Sequence, residues 1–185
     1  SDIMHRISYD GGSSRGELQQ VMLSAINFEI GDMVRKLRGT GLHRRQIYEV
    51  VVVGNATMRD IFFGIDVQPI GEKPYKSLIE LETELGLREG TALNVGAKEL
   101  GLRVFPRANV YGGPLIGCHV GADVAADILA VGMDQQEEDV MLIDVGTNTE
   151  VVVGNRHRMM VASCPAGPAF EGGEIAYGMP GYNGA

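Results

Sequence analysis

The stretch from Val140 to Ala162 constrains the fold more than any other part of the chain. It contains three short apolar runs, separated only by tight turns at residues 146–149 and 155–158. Runs of this length, joined by turns rich in glycine and asparagine, predict three antiparallel strands connected as a meander. The acidic run Gln135–Asp139 precedes the meander and is predicted to be a solvated loop between two subdomains.

The first half of the chain begins with a long predicted helix. Ser14 and Glu17 have the spacing of a capping box. Apolar residues then recur at helical spacing, and basic residues with two glycines follow them, which predicts a helix from Gly16 to Arg38. The pair Arg44–Arg45 is interpreted as the solvated end of a helix or turn.

A strand, a glycine turn and a second helix come next. The run Val50–Val53 predicts a fully buried parallel strand, and the Gly54–Asn55 pair predicts a turn with an N-capping asparagine. We expect residues 64–110 to be mostly connecting structure, with a further strand at Leu115–Gly117 and a helix shortly after it. This order is typical of an α/β sheet.

Composition and charge narrow the class of function. The net charge is -8, and residues 93–185 hold 5 basic against 11 acidic side chains, which argues against a nucleic-acid-binding surface. No run approaches 18 apolar residues, so no transmembrane helix is expected. The 2 cysteines and 4 histidines lack metal-ligand spacing, and a cytoplasmic protein with reduced cysteines is predicted.

The first tight turn of the meander carries the strongest chemical signal. Asp144 ends a predicted strand, and Gly146, Thr147 and Asn148 follow it. Backbone N–H groups in such a turn can converge on a phosphate, and Asp144 can hold Mg²⁺ or orient an attacking water. An ordinary hairpin with a turn-capping aspartate fits the same spacing, so the residues alone leave both interpretations open.

A second signal lies in residues Ala162–Ile175, which are dense in small residues. They predict a strand that leads into a loop and then a helix, where Glu171 could orient a water or a metal ion. Three glycines would allow a ligand or another backbone to approach closely: Gly167, Gly172 and Gly173. Cys164 has no neighbouring histidine base and is expected to be a packed small thiol, not a nucleophile.

These signals together resemble a known pattern. The segment DVGTNTE resembles the phosphate-binding hairpin of the superfamily that contains acetate and sugar kinases, actin and the chaperone ATPases. More narrowly, the chain resembles the ATP-dependent reductive activators of corrinoid proteins. Four segments carry this resemblance: VVVGNATM (Val51–Met58), IGCHVGAD (Ile116–Asp123), LIDVGTNTEVVVG (Leu142–Gly154) and ASCPAGPAFEGGEI (Ala162–Ile175). The opening DIMHRISYD is similar to the stretch that follows the family's first phosphate hairpin.

The resemblance implies an α/β, RNase-H-like (actin-like ATPase) fold with ATP and Mg²⁺ in a cleft between two lobes. Residues 1–136 would form one nearly complete lobe with an insertion around 66–110, and residues 139–185 would begin the second lobe. The implied activity is the ATP-dependent reduction of a Co(II) corrinoid protein to Co(I). The family's [2Fe–2S] domain and first phosphate hairpin have no counterpart in this sequence, so we expect an internal segment of such a protein.

Residues and resemblance together define the expected site. Asp144 and Glu171 are the candidate catalytic residues, and Asp144 and Asp123 are the candidate Mg²⁺ ligands. The expected ATP-binding and phosphate-binding residues are Gly146, Thr147, Asn148, Gly167, Gly172, Gly173, Gly54 and Asn55. A corrinoid protein is the expected partner, a homodimer is left open, and neither nucleic acid nor membrane is expected. The alternatives are a small-molecule kinase of the same superfamily and a non-catalytic docking or dimerisation module.

Overall fold

A computed structural model describes residues 3–117, 119–146 and 148–165 of the chain. Its helices are α1 (Ile3–Asp10), α2 (Glu17–Lys36), α3 (Ala56–Phe63), α4 (Gln68–Gly71), α5 (Leu78–Glu84), α6 (Ala97–Leu100) and α7 (Ala122–Ala130). Its strands are β1 (Glu49–Val52), β2 (Leu93–Gly96), β3 (Asn109–Gly112), β4 (Val140–Val145), β5 (Asn148–Asn155) and β6 (Arg158–Pro165). Short 3₁₀ turns lie at Arg38–Thr40, Arg44–Gln46 and Met133–Gln135.

The first sheet has the strand order β1-β3-β2. Strand β1 runs parallel to β3, and β2 runs antiparallel to it. Apolar residues of α2, α3 and α6 pack against one face, around the buried side chains of Phe62, Leu100 and Val110. The prediction that residues 64–110 are mostly connecting structure missed the short elements that lie among the loops. These elements are α4, α5, β2, α6 and the start of β3. Strands of only four residues between prolines and glycines give little periodic signal.

The long helix α2 lies where the sequence predicted it, but its first turn differs. The N-cap residue is Gly16 and not Ser14, with a φ of 82°, a left-handed conformation that suits glycine. The capping-box prediction was wrong: the Glu17 side chain accepts a 2.7 Å hydrogen bond from the Tyr9 hydroxyl, and Ser14 meets Glu17 through its backbone carbonyl, which accepts a 3.0 Å hydrogen bond from the Glu17 N–H. The Gly16 N–H donates a 3.0 Å hydrogen bond to the Asp10 Oδ1, which ties the helix start to α1.

The strands are less buried than the sequence suggested. Val51 of β1 is 62% exposed and Ile143 of β4 is 54% exposed, whereas their neighbours in each strand face the core. The predicted full burial of the Val50–Val53 strand was wrong because helices cover only one face of its sheet in the described part of the chain. Residues Leu115–Gly117 form no strand, and Gly117 makes a single bridge to Val120.

The second sheet is the predicted antiparallel meander, with the order β4-β5-β6. Val152 of β5 is fully buried against Val124 of α7 and Met133 of the following turn. Val140, Leu142 and Met159 extend this contact along the same face. The face next to α7 also carries Asp144 and Glu150, which are cross-strand partners at the end of the hairpin.

A buried ion pair fixes α3 to the loops around it. Arg59 and Asp60 are fully buried neighbours, with 2.8 Å between the Arg59 Nη2 and the Asp60 Oδ1. The Arg59 Nη1 donates hydrogen bonds of 2.8 Å to the carbonyl oxygens of Thr91 and Gly113, and Ser77 donates to the second oxygen of Asp60. Since Asn55 is the N-cap residue of α3, this network also fixes the end of the helix that becomes part of the site. None of the described helices is long and apolar enough to cross a membrane.

Candidate functional site

The hairpin between β4 and β5 forms one wall of the site. The strands pair up to Val145 and Thr149, so the chain reverses over three residues. The backbone N–H of Gly146 donates a 3.0 Å hydrogen bond to the carbonyl of Asn148 and is used inside the turn. The expectation that this N–H points at a phosphate was therefore wrong. A Cβ on Gly146 would lie 3.2 Å from the same carbonyl oxygen, which is a tight contact. Glycine at this position therefore allows the turn to be tight.

The starts of helices α3 and α7 form the opposite wall. The carbonyl of Gly54 accepts hydrogen bonds from the backbone N–H groups of Ala122 (2.9 Å) and Asp123 (3.3 Å). A Cβ on Gly121 would lie 2.5 Å from both the Gly54 oxygen and the Asn55 Cα. The two helix starts therefore touch through backbone, which a side chain at position 121 would prevent. Asn55 caps α3 by accepting a 2.9 Å hydrogen bond from the N–H of Met58, as the sequence predicted.

Between these walls lies a concavity of about 130 Å³, which we name the acidic cleft. Its lining residues come from α1, the α3 and α7 starts and the hairpin: Ile3, Asn55, Asp123, Asp144, Gly146, Asn148 and Glu150. Five of them were predicted from the sequence, and Gly54 lies directly behind them. The volume is below the roughly 300–1,000 Å³ of pockets that enclose a whole organic ligand, so the cleft suits one small charged group.

Glu150 is a member of the cleft that the sequence analysis missed. Its side chain is 6% exposed, and its Oε1 accepts a 2.9 Å hydrogen bond from the Ser163 hydroxyl. The available signal was strand periodicity, because residues 148 and 150 lie two apart in β5 and therefore share a face. Ile3 gave no comparable signal, since it reaches the cleft from a helix far away in the sequence.

The cleft concentrates negative charge. Burial raises the pKa of Asp123, and the nearby carboxylates of Asp144 and Asp127 raise it further. Burial also raises the pKa of Glu150, with added repulsion from Asp123 and Asp144, although the Ser163 hydrogen bond opposes this rise. The pKa of Asp127 is raised by burial and by Asp144. Asp144 is thus the charge common to all three shifts.

The donor set fits a hydrated Mg²⁺ ion with a phosphate better than a protein cage. Among the described residues, no three histidine, cysteine, aspartate or glutamate side chains are grouped closely enough to hold a metal by themselves. Mg²⁺ commonly keeps several waters and uses one or two carboxylates together with phosphate oxygens. The half-buried Asp123 and Asp144 provide such carboxylates, and Asn55 and Asn148 add amide groups at the same concavity.

Several predicted residues fall outside the part of the chain that the structure describes. They are Thr147, Gly167, Glu171, Gly172 and Gly173. Cys164 is described and is exposed, so its expected packing was wrong. It lies in the last strand of the meander, where its thiol donates to the Thr149 carbonyl at 3.3 Å.

Comparison with known families covers almost the whole chain. Residues 1–136 match the family described as the RACo middle region. Residues 138–185 match the C-terminal domain of RACo, described as its ASKHA domain. The chain belongs to the RACo family. This result confirms the family resemblance found in the sequence.

Individual relatives agree with the RACo assignment. The corrinoid activation enzyme RamQ of Eubacterium limosum is 29% identical over the full chain, which spans 29% of that protein. The [Co(II) methylated amine-specific corrinoid protein] reductase of Methanosarcina barkeri is 35% identical over 94 residues, or 45% of this chain and 17% of the relative. The chain therefore spans less than a third of the curated relatives that it matches.

A solved structure supports the RACo fold directly. A reductive activator for a corrinoid, iron–sulfur protein superposes with a TM-score of 0.80 and 32% identity, over 96% of this chain and 27% of that one. Together with the mixed α/β architecture, this match identifies the fold as ASKHA-type.

Proposed function

We propose that the acidic cleft holds the Mg²⁺-bound phosphate end of ATP, in a protein that uses ATP to reactivate a corrinoid protein. The observation that carries the proposal is the meeting of the Asp144–Asn148 hairpin with Asn55 and Asp123 around one small concavity. Family membership explains why ATP is the expected ligand, since the ASKHA superfamily includes nucleotide-dependent kinases and ATPases. Residues 1–136 would then belong to one lobe and residues 139–185 to the start of the next, with the cleft at their junction.

Charge makes a divalent cation necessary in this proposal. Asp123, Asp144 and Glu150 face one concavity, and none of the residues that line it is basic. A bare triphosphate would be repelled by these carboxylates, whereas bound Mg²⁺ would neutralise charge on both phosphate and protein. Asp144 and Asp123 would hold the hydrated ion, and the amide groups of Asn55 and Asn148 would orient phosphate oxygens. We therefore expect nucleotide binding to be lost when Mg²⁺ is chelated.

The biological role follows from the relatives. RamQ is named as a corrinoid activation enzyme, and the other two are named as a corrinoid protein reductase and a reductive activator. We propose that this chain contributes the ATP-dependent part of the same task, the return of an inactive Co(II) corrinoid protein to Co(I). One-electron reduction to Co(I) is uphill, so binding and hydrolysis of ATP would act by changing the conformation of the complex. Electrons would come from a [2Fe–2S] domain that these residues do not include.

The test compares two Asp→Asn substitutions in the natural polypeptide that carries these 185 residues. Asp144→Asn removes one carboxylate of the cleft, and Asp134→Asn makes the same change at an exposed position outside it. ATP turnover by Asp144→Asn should fall at least about 100-fold, the scale seen when one group that stabilises a transition-state charge is removed. Turnover by Asp134→Asn should remain within twofold of the unsubstituted protein.

Two results would count against the proposal. Unchanged turnover in a folded Asp144→Asn protein would mean that the hairpin is structural. Transfer of phosphate to an added acid or sugar, in place of corrinoid reduction, would favour the kinase alternative. The visible absorption spectrum of the corrinoid, recorded with and without ATP, measures its reduction and so distinguishes corrinoid activation from the kinase alternative.

A further inference from the structure

A second cavity in the described part of the chain has a charge opposite to that of the acidic cleft. It is a groove of about 750 Å³ along the second half of α2, and we name it the basic groove. Its walls come from α2, from the segment at residues 41–44 and from the loop after α6. The lining residues are Ser24, Asn27, Phe28, Gly31, Val34, Arg35, Arg38, Gly41, Leu42, His43, Arg44 and Arg103. Four are arginines, one is a histidine, and none is acidic.

The charge of the groove runs against that of the chain, which is -8 overall. Arg38 and Arg103 are exposed, and neither has a carboxylate partner in the described part of the chain. Arg35 shares Asp32 with Lys36, and Arg44 donates one hydrogen bond of 2.7 Å to the Asn27 carbonyl. Guanidinium groups that have remaining donors and no acidic neighbour in the groove bind carboxylates well.

The floor of the groove is ordered by a buried amide. Asn27 is 9% exposed, its Nδ2 donates to the Gly101 carbonyl at 3.0 Å, and its Oδ1 accepts from the Arg103 N–H at 2.6 Å. These bonds tie the Arg103 loop to α2, while the Arg44 guanidinium packs over Gly31. Arg103 and Arg44 are thus both fixed next to the Asn27 face of α2, one from each neighbouring segment.

The shape favours an elongated occupant. The α2 residues in the lining lie on one side of the helix from Ser24 to Arg35, a length of about 16 Å. Arg38, in the 3₁₀ turn that follows α2, extends this row to about 20 Å. An extended peptide of about six residues covers the same length. Phe28 is 66% exposed and Leu42 is 39% exposed within the groove, so the lining also offers apolar contacts between the charges.

We propose that the basic groove docks an extended, acidic segment of a partner protein. Carboxylates of the segment would pair with Arg38 and Arg103, and an apolar side chain between them would cover Phe28. A single small anion would use only a fraction of the groove. Charge and length therefore both favour a peptide that carries several carboxylates and at least one apolar residue. The proposal is independent of ATP binding, because no residue of the acidic cleft lines the groove.

Fluorescence anisotropy with a labelled peptide tests this proposal. The probe is a six-residue peptide of five glutamates and one internal phenylalanine. The control is the peptide in which lysines replace the five glutamates. The double variant Arg38→Glu/Arg103→Glu should bind the acidic peptide at least tenfold more weakly, which corresponds to about 1.4 kcal/mol. Both arginines are exposed, so the variant should stay folded, and its circular dichroism spectrum checks this.

Matched variants separate the groove from general charge effects. Arg158→Glu makes the same kind of charge reversal at the exposed first residue of β6 and should leave binding within twofold. Phe28→Ala should weaken the peptide with phenylalanine and leave pure hexaglutamate unchanged. Equal losses in Arg158→Glu and the double variant would overturn the proposal. So would tighter binding of a single-stranded oligothymidylate at the same groove, or conversion of the chain to a dimer that the double variant abolishes.

Discussion

The acidic cleft and the basic groove are opposite in sign and in construction. The cleft is a concavity of about 130 Å³ in which Gly121 and Gly146 allow backbone segments to approach one another. The groove has a volume of about 750 Å³ and is formed by long side chains on a helix surface. The cleft is thus shaped for one small group held by fixed backbone, whereas the groove is shaped for a longer chain met by side chains that can adjust. This difference predicts how each region responds to substitution.

The largest difference should appear when one arginine in each environment is replaced by methionine. Arg59 is fully buried in the network that fixes α3, so Arg59→Met leaves the carboxylate of Asp60 buried without its ion partner. The expected loss is about 3–5 kcal/mol in the free energy of unfolding. Arg38→Met, at an exposed position of the groove, should change it by less than about 0.5 kcal/mol. Urea denaturation of both variants measures this, and similar losses would contradict the comparison.

A second pair of substitutions tests rigid against adjustable walls. A Cβ at Gly121 would overlap the backbone of Gly54 and Asn55, so Gly121→Ala should destabilise the chain by about 1–3 kcal/mol. A Cβ at Gly31 would overlap only the flexible end of Arg44, which can move away. Gly31→Ala should therefore be neutral or stabilise the chain by up to about 1 kcal/mol, since alanine favours a helix. Thermal unfolding distinguishes the two, and a reversed order would contradict the account.

The smallest effect concerns pH. The folded state raises the pKa of Asp123 and Glu150, mainly through burial, so the folded chain binds more protons than the unfolded chain at moderately acidic pH. Stability should then be higher at the acidic end of that window and decline as the pH rises from about 4 until both groups are ionised. Glu150→Gln should flatten this decline, whereas Glu138→Gln, in the exposed acidic run, should not.

Added Mg²⁺ and ATP should reduce the same pH dependence in the unsubstituted protein, because the cation offsets the carboxylate repulsion. Denaturation midpoints between pH 4 and 8, with and without Mg²⁺, give the comparison. A stability that increases with pH throughout this range in the unsubstituted chain, and that decreases in Glu150→Gln, would show that the cleft carboxylates are not mutually repulsive.

Most of the cleft residues could be predicted from the sequence because they lie at the ends of helices and strands or in the turn between strands. Asp144 lies near the end of β4, Gly146 lies in the turn between β4 and β5, and Asn55 caps α3, so local patterns mark each one. The meeting of the two walls was expected from the family resemblance alone. Glu150 was missed because its role depends on which face of β5 meets α7.

The basic groove could not be predicted in this way. Arg44 was interpreted as part of a solvated turn, and nothing near Arg103 in the sequence indicates that it lies beside α2. The contact depends on Asn27, which bonds to residues 74 and 76 positions away in the chain. The first sheet could not be predicted for a related reason. Strands β2 and β3 have only four residues each, and they are recognisable as strands only once their pairing is known.

The most direct test of the Mg²⁺–phosphate site is to locate the ion itself. Fe²⁺ replaces Mg²⁺ in the presence of ATP, and hydrogen peroxide and ascorbate are then added. The bound Fe²⁺ reduces the peroxide to hydroxide and a hydroxyl radical, ascorbate returns the Fe³⁺ to Fe²⁺, and the radicals cut the nearby backbone of the natural polypeptide. Mass spectrometry of the fragments should show cleavage at 144–148 and near Asn55 and Asp123, which excess Mg²⁺ suppresses and Asp144→Asn removes. Cleavage confined to the acidic run 135–139, or unchanged by Asp144→Asn, would contradict the proposed site.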